Sequence, residues 1–298
     1  MAEAEPTSHS QRSLLAGVML VILLACVGAA WWLSQRGNAP ASILDEMRKT
    51  TLTKLWGDEP RTDFYLITDA AGQTVVWSAF AYRPTDNGVS GTTHVGNSVP
   101  ENWELSNNAT SGQYAGAMRT DQGVLRTRIT YGDGFVTVEQ QLGNRGIHAI
   151  ARAKAPVNYV PEGSLALVVR LVNQRGQGGK FAMIFDEIAL APDNGRAEVR
   201  FTPVTLSPVQ NGIVRMEYET KDGRSASIFH LNGDVLEEVE YYTVPQGKAE
   251  ELTRVRKLIA PDEVEARFPD DEVLGRLVEE AKKEHRPVAS QAASEPDR

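Results

Sequence analysis

The chain has 298 residues, with 31 Lys and Arg against 39 Asp and Glu, so its formal net charge is −8. An acidic chain without a basic cluster is poorly suited to nucleic acid, because phosphate binding requires grouped Lys and Arg side chains. A single cysteine excludes a disulfide framework and a cysteine-rich zinc site.

The N-terminal part contains an apolar run long enough to cross a bilayer. Residues 14–33 read LLAGVMLVILLACVGAAWWL and carry no charge. A helix of this length spans about 30 Å, the thickness of the hydrocarbon core. Trp31 and Trp32 end the run, where amphipathic rings favour the membrane interface. We therefore predict a retained single-pass signal anchor; a cleaved signal peptide and a lipoprotein modified at Cys26 are the alternatives.

The orientation of this anchor is predicted from the length of the flanking segments. Arg36, Arg48 and Lys49 follow the run, whereas Arg12 alone precedes it closely. A literal positive-inside count would place the C-terminal part in the cytoplasm, but the rule is weak for such small differences. A short tail before a first apolar run more often stays in the cytoplasm. We predict a cytoplasmic tail at 1–13 and an extracytoplasmic C-terminal part on the periplasmic side.

The remainder of the chain divides into four predicted parts. Residues 34–61 form a linker and a short helix, and residues 62–245 form an antiparallel β domain. Residues 246–287 form a helical segment, with helices at 249–259 and 271–285, and 288–298 form a disordered tail. The predicted strands are 62–68, 74–83, 102–106, 113–120, 124–131, 135–141, 147–154, 181–187, 197–205, 213–220, 225–231 and 235–242.

Two features of the β region predict its topology. Val214, Met216 and Tyr218 alternate with charged residues, which is typical of a strand with one buried face and one solvated face. Asn-Gly and Asp-Gly pairs between the runs favour tight turns, and tight turns between successive strands predict an antiparallel meander. The apolar run within 161–172 interrupts this pattern; Pro161 and the glycines after it favour a covering helix over a buried strand.

No chemical motif stands out. The sequence lacks a Gly-rich phosphate loop, a Gly-x-Ser-x-Gly elbow and a His-Glu-x-x-His pair. None of the five histidines lies within five residues of another, and His148 and His230 are interpreted as ordinary strand residues. Asp186 and Glu187 are adjacent, so on a strand they face opposite sides. We predict no catalytic residue, no metal site, no cofactor and no enzymatic activity.

Aromatic residues are concentrated in the first half of the β region. Small residues at 115–117 accompany them, and a curved sheet that carries both kinds of residue can enclose an apolar cavity. An ordinary packed core is the alternative interpretation. Both faces of the predicted strand 74–83 hold a large aromatic residue, so we expect a helix to cover one face and a ligand or partner the other. The predicted ligand-binding residues are Trp77, Phe80, Trp103, Tyr114, Tyr131 and Phe135.

The order of these features resembles a known fold. Trp77 comes early, the Gly132-Asp133-Gly134 turn follows a long strand, and the helix at 161–172 precedes Gly178-Gly179-Lys180-Phe181. Residues 62–245 thus resemble the half-barrel domains of secreted bacterial proteins of unknown function, which are similar to the lipoprotein-localisation fold of LolA and LolB. The resemblance implies an open antiparallel barrel wrapped around a helix, with acyl chains bound in the concave face. Such proteins are usually soluble or lipid-anchored, so a membrane helix is a departure.

The sequence therefore predicts a mainly β (α+β) protein, with one N-terminal transmembrane helix. A curved antiparallel β-meander or half-barrel follows, with one covering helix and C-terminal helices. The predicted function is that of a membrane-anchored extracytoplasmic domain that binds a hydrophobic ligand, such as a lipid or a lipoprotein. The alternative is an adaptor module of a cell-envelope assembly, whose C-terminal helices contact a partner protein.

Overall fold

The computed structural model describes residues 43–49, 52–57, 59–143, 147–161, 163–185, 189–193, 196–220, 223–245 and 247–284. The predicted anchor, residues 14–33, lies outside these ranges, as do the predicted tail at 288–298 and Asp186 and Glu187. Within the described ranges, no helix has both the length and the apolar character needed to cross a membrane.

Most of the described chain forms a large open antiparallel sheet of 14 strands, accompanied by a few helices. Eight strands form its first wing in sequence order: β1 (Arg61–Asp69), β2 (Thr74–Thr85), β3 (Gly88–Val95), β4 (Glu101–Ser106), β5 (Gly112–Thr120), β6 (Gly123–Gly132), β7 (Phe135–Leu142) and β8 (Ile147–Lys154). The second wing contains β9 (Gly179–Met183), β12 (Thr202–Gln210), β13 (Ile213–Thr220), β14 (Gly223–Asn232), β15 (Val235–Pro245) and β16 (Glu251–Ile259). Strands β10 (Leu190–Asp193) and β11 (Arg196–Val199) form a separate hairpin.

The two wings join through the first and last strands of the sheet. Strand β1 pairs antiparallel with β16, from Phe64 opposite Ile259 to Asp69 opposite Arg254. The other long-range strand pair of the sheet is β9 with β12. Sequence-adjacent strands pair everywhere else in the two wings, as the tight turns predict.

The sheet wraps around helix α3 (Leu165–Arg175), so both wings contribute to one apolar cluster. Tyr159, just beyond β8, bridges Ala182 of β9, which brings the two ends of the sheet together. We call the face that contacts α3 the inner face and the opposite face the outer face. Helix α3 confirms the helix predicted within 161–172. Its residues from Leu167 to Val172 are all buried, as expected for a helix enclosed on every side.

Helices α4 (Pro261–Arg267) and α5 (Glu272–Glu284) cover the outer face near the junction of the wings. Two short helices, α1 (residues 43–49) and α2 (Leu52–Trp56), precede the sheet, in agreement with the predicted helix before residue 62. The apolar stripe of α5 packs on both strands beneath it, β1 and β2. The outer-face cluster contains Phe64, Leu66, Trp77, Ala79, Val264, Leu274, Leu277, Val278 and Ala281.

The helix predicted at 249–259 is wrong, because Glu251–Ile259 forms β16. Its apolar residues at 252, 255 and 259 also fit a helical face. The strand prevails because it pairs with β1 and β15, which would otherwise be exposed edges. The antiparallel part therefore extends to Ile259 rather than 245. The sequence prediction also missed β3 and β10, which contain few large apolar residues.

Candidate ligand-binding site

Alternation along the strands separates the six predicted ligand-binding residues. The register places Phe80, Trp103, Tyr114 and Tyr131 on the inner face, where they belong to the cluster around α3 or pack against it. Trp77 and Phe135 lie on the outer face. Four of the six residues therefore share one surface and two do not.

Trp103 lies at the centre of the inner aromatic group and is 3 % exposed. Its ring stacks on that of Phe80, with centroids 5.7 Å apart and planes inclined by 26°. The ring crosses β3 at Gly91, which is opposite Trp103 in the register. A side chain at Gly91 or Gly163 would overlap the indole. Small residues here make room for the aromatic ring itself.

A second aromatic group, formed by Tyr131, Tyr159 and Phe201, lies on the inner face farther along the first wing. The rings of Tyr131 and Tyr159 meet edge to face, with centroids 5.2 Å apart, and Tyr159 meets Phe201 in the same way at 5.7 Å. Tyr159 is 1 % exposed. Edge-to-face pairs of this kind align the positive edge of one ring with the negative face of another.

The two outer-face aromatics have other partners. The Trp77 indole donates a hydrogen bond to Asp271 Oδ2 at 2.7 Å, beneath the C-terminal helices. These helices cover the face for which the sequence predicted a ligand or partner. Phe135 is 39 % exposed, and the Arg152 guanidinium lies 4.5 Å from its ring centroid.

Helix α3 packs against β12 and β13, and polar contacts tie its C-terminal end. The backbone N–H of Gly212 donates to Asn173 Oδ1, and Gln174 Nε2 donates to Asp234 Oδ1, both at 2.9 Å. Arg175 forms an ion pair with Glu46. Helix α3 is therefore attached by apolar packing along its length and by polar bonds at one end.

Arg170 interrupts the apolar surface of α3. It is 5 % exposed, and its Nε has no hydrogen-bond partner among the described residues. Burial is the main cause that lowers its pKa, the charge of Arg61 lowers it further, and Asp234 and Asp63 raise it. A buried guanidinium without an ion pair is unfavourable unless another group compensates its charge.

Further charged residues of the inner face surround Tyr65 on β1, which is 5 % exposed. The Arg256 guanidinium lies 4.8 Å from the Tyr65 ring centroid. Arg61 Nε lies 3.4 Å from Asp63 Oδ2. Burial and the nearby Asp63 carboxylate raise the pKa of Tyr65 to about 12, although Arg256, Arg61 and Arg170 act in the opposite direction. We call Arg61, Arg170 and Arg256 the arginine cluster.

The edge strands of the sheet, β8 and β9, do not pair with each other. The Tyr159–Ala182 bridge connects them, and the β10–β11 hairpin lies against β8. The wrapped sheet thus has a seam closed by short segments rather than by a continuous ladder. A seam of this kind separates far more easily than a fully paired barrel wall.

Two concavities lie on the outer face among the described residues. One of about 300 Å³ is lined by Ala115, Ala117, Arg126, Arg128 and Glu139, among other residues. Its lining therefore combines small side chains with charged ones. The small residues at 115–117, which the sequence associates with an apolar cavity, thus line an outer-face groove that also carries charged side chains. A second concavity of about 460 Å³ lies where α5 meets β1 and β16.

The described residues include one group of three side chains close enough to share a metal ion. Ligand atoms of His230, Glu238 and Glu240, on the outer face of β14 and β15, all lie within 4.8 Å of one another. A nitrogen and two carboxylates suit zinc or another divalent transition metal. Lys257 Nζ lies 3.6 Å from Glu238 Oε2, and the Tyr242 hydroxyl donates to Glu240. Both carboxylates therefore have partners already, and we assign no metal to them.

The arginine cluster was missed by the sequence analysis. Arg61 and Arg256 lie about 200 positions apart; the β1–β16 pairing joins their strands and places Arg256 opposite Ile67, farther along β1 than Arg61. Arg170 did leave a signal, because it is the one charged residue in the apolar run of eight from Leu165 to Val172. An arginine in a helix that is predicted to be covered indicates a buried charge, and a buried charge requires a partner group.

Comparisons with known proteins give no assignment. No protein-family model matches the chain, and no curated protein matches it. Among solved structures, the chain is similar to the crystal structure of the di-domain ARO/CYC StfQ from the steffimycin biosynthetic pathway. This match has 10 % identity and a TM-score of 0.15, and it covers 83 % of this chain and 93 % of that one. A similarity of this size carries no argument about fold or function.

Proposed function

We propose that this chain is a membrane-anchored, extracytoplasmic, non-enzymatic protein that binds a hydrophobic ligand, such as a lipid or the acyl part of a lipoprotein. The sheet acts as a half-barrel, and the ligand lies on its inner face beside α3. The anchor is the apolar run at 14–33, whose length matches the bilayer core.

One observation carries this proposal: an apolar interior lies behind a seam that is not closed by strand pairing. The interior reaches from Phe80 on β2 to Val239 on β15, so it is continuous across both wings. In this proposal the ligand enters at the seam between β8 and β9, which is closed by the Tyr159–Ala182 bridge and the β10–β11 hairpin rather than by a strand ladder. An acyl chain needs an apolar surface and a way in, and the continuous interior and the short-segment seam support this assignment.

The inner aromatic group supports the same proposal. Phe80 and Tyr131 are only partly buried, although each packs against the central cluster. Their rings offer an apolar surface that a chain can cover without displacing Trp103. Burial of each methylene group stabilises a bound chain by about 0.8 kcal/mol.

The adaptor alternative has weaker support. The apolar stripe of α5, which includes Leu274 and Leu277, packs on the sheet of the same chain. A partner of the C-terminal helices would therefore contact their charged side. No contact among the described residues favours this second function.

A photo-crosslinking experiment on the full chain tests the proposal. The protein is reconstituted in nanodiscs of phosphatidylcholine and exposed to palmityl alcohol that carries a diazirine. We expect labelled peptides from β2, β4 and α3. Labelling confined to residues 14–33, which the bilayer itself surrounds, would overturn the proposal.

A matched pair of variants refines the result. Phe80→Ala removes an inner-face ring, and we expect the inner-face labelling to fall by about tenfold, since a buried aromatic contact contributes on the order of 1–2 kcal/mol. Phe135→Ala removes an exposed ring of the outer face and should leave labelling unchanged. Equal loss in both variants would count against an inner-face site.

A further inference from the structure

We infer that the ligand of the inner face carries an anionic group, a carboxylate or a phosphate, and that Arg170 binds it, with Arg61 and Arg256 adding positive charge on the same face. This inference rests on the proposed function. It assigns the ligand class: an anionic amphiphile rather than a neutral lipid.

Arg170 supplies the first step of the argument. Its neighbours on α3 are Val and Leu, and it is buried among them, with 5 % of its surface exposed. No carboxylate of a described residue lies within ion-pair distance of it, and its Nε donates to no described acceptor. An apolar residue would be more stable in this environment, so the position is suited to an acceptor that the chain itself does not provide.

The neighbouring residues add positive charge. Arg61 Nε is paired with Asp63 at 3.4 Å, whereas Arg256 Nε is buried without a hydrogen-bond partner among the described residues. Asp63 is already paired with Arg61, so Asp234 is the remaining carboxylate whose charge acts on Arg170. Asp234 already accepts a hydrogen bond from Gln174. Guanidinium groups bind carboxylates and phosphates through paired N–H donors, so an anionic oxygen group complements this cluster.

The position of the cluster explains why the ligand is an amphiphile and not a free anion. Asp63 is opposite Phe80 in the β1–β2 register. The stacked rings of Phe80 and Trp103 therefore begin one strand away from the charged residues of β1. A head group at the arginine cluster places its chain on the aromatic surface.

The experiment compares two diazirine probes of equal chain length on the full chain in phosphatidylcholine nanodiscs: palmitate and palmityl alcohol. We expect palmitate to label the inner-face peptides about tenfold more efficiently, since hydrogen bonds to charged groups are roughly twice as strong as neutral ones. Labelling by the alcohol tests the proposed function alone. The ratio of the two probes tests the anionic site alone.

The decisive variant is Arg170→Met, which retains a long side chain without the charge and fits an apolar environment. We expect it to remove the preference for palmitate while labelling by the alcohol persists. Arg128→Met is the control, because Arg128 is on the outer face with its side chain 66 % exposed. A wild-type chain without a preference, or an Arg170→Met chain that keeps it, overturns the inference and leaves the proposed function standing.

Competition identifies the source of the anionic group. Unlabelled palmitate that displaces the probe assigns the carboxylate of a free fatty acid, and lysophosphatidate that displaces it assigns the phosphate of a lipid head group. Failure of both competitors overturns the inference. Because the Arg170→Met comparison is made on the same nanodiscs, loss of fold is recognised by loss of labelling with both probes.

Discussion

Gly91 shows how one missing side chain positions the inner aromatic group. A Cβ atom at this position would lie 2.1 and 2.2 Å from two ring atoms of Trp103. We predict that Gly91→Ala destabilises the protein by about 2–4 kcal/mol, because the indole must leave its packed position or the strands must separate. Urea unfolding of the full chain in detergent, followed by tryptophan fluorescence, measures the change.

A second glycine provides the control. Nothing lies within 4 Å of a Cβ built on Gly275, which is inside α5. Gly275→Ala should therefore stabilise the chain by about 0.5–1 kcal/mol through helix propensity alone. If both substitutions have the same small effect, the close approach of Trp103 to Gly91 is not a packing constraint.

The sequence alone shows that large aromatic residues are concentrated in the first wing, but it does not show which face of the sheet each of them occupies. Period-two alternation already separates Trp77 from Phe80, which lie three positions apart on β2. The partners of each face come from distant parts of the chain: α3 for Phe80 and α5 for Trp77. That information is not local, so the spacing of the aromatics could argue against a single shared face but could not show what covers each face.

At the scale of the element, Asp271 connects α5 to the sheet. Its Oδ1 accepts the backbone N–H groups of Val273 and Leu274 at 3.1 and 3.0 Å, as an N-cap does. Its Oδ2 accepts the indole N–H of Trp77. We predict that Asp271→Ala lowers the free energy of unfolding by about 2–4 kcal/mol, since it removes a helix cap and leaves a buried donor unpaired.

Thermal unfolding measured by circular dichroism and by tryptophan fluorescence checks this value. Asp270→Ala is the control, because Asp270 is exposed and precedes the cap. If the Asp271→Ala and Asp270→Ala chains have the same melting temperature, the hydrogen bonds of Asp271 do not contribute to stability. The contact of α5 with the sheet then depends on apolar packing alone.

Two segments were both predicted as helices from their apolar spacing, but only one of them, α3, is a helix; the other forms β16. The run that forms α3 is bounded by Pro161 and Gly176, and the latter adopts a left-handed conformation with φ of 60° that ends the helix. The run that forms β16 lacks such boundaries, and its conformation depends on two neighbouring strands. Local capping signals can be read from sequence, whereas pairing with β1, nearly 200 residues away, cannot.

The whole molecule depends on the β1–β16 pair. A chain that ends at residue 250 lacks β16, α4 and α5, so β1 and β15 become open edges and the outer-face cluster loses its cover. We predict that this chain fails to fold cooperatively and aggregates, because it exposes edges and apolar side chains together. Size-exclusion chromatography and thermal melts in detergent measure both effects.

A chain that ends at Glu284 serves as the control, since it keeps every helix and strand described above. Its melting profile should match that of the full chain. A soluble, cooperatively melting chain that ends at residue 250 would mean that the wings fold independently of their junction.

Most neighbour relationships in the sheet follow from the sequence, because hairpins with tight turns pair strands that are adjacent in the chain. Asp133 and Gly134 both have positive φ angles, 52° and 74°, as a two-residue hairpin turn requires. The joining of the wings does not follow from such signals. It depends on the pairing of β1 with β16, which lie at opposite ends of the described sequence, so the entropy of closing a long loop must be overcome before this contact forms.

The pairing of the first and last strands has a mechanical consequence. Because β1 and β16 run antiparallel from Phe64 opposite Ile259, the chain enters β1 and leaves β16 at the same end of the pair. Tension applied across these two points loads one rung of hydrogen bonds at a time, in an unzipping geometry, and each rung resists with only about 1 kcal/mol per bond. A pull on the two ends of the chain would thus separate β1 from β16 first, and the hairpins of either wing would unfold only afterwards.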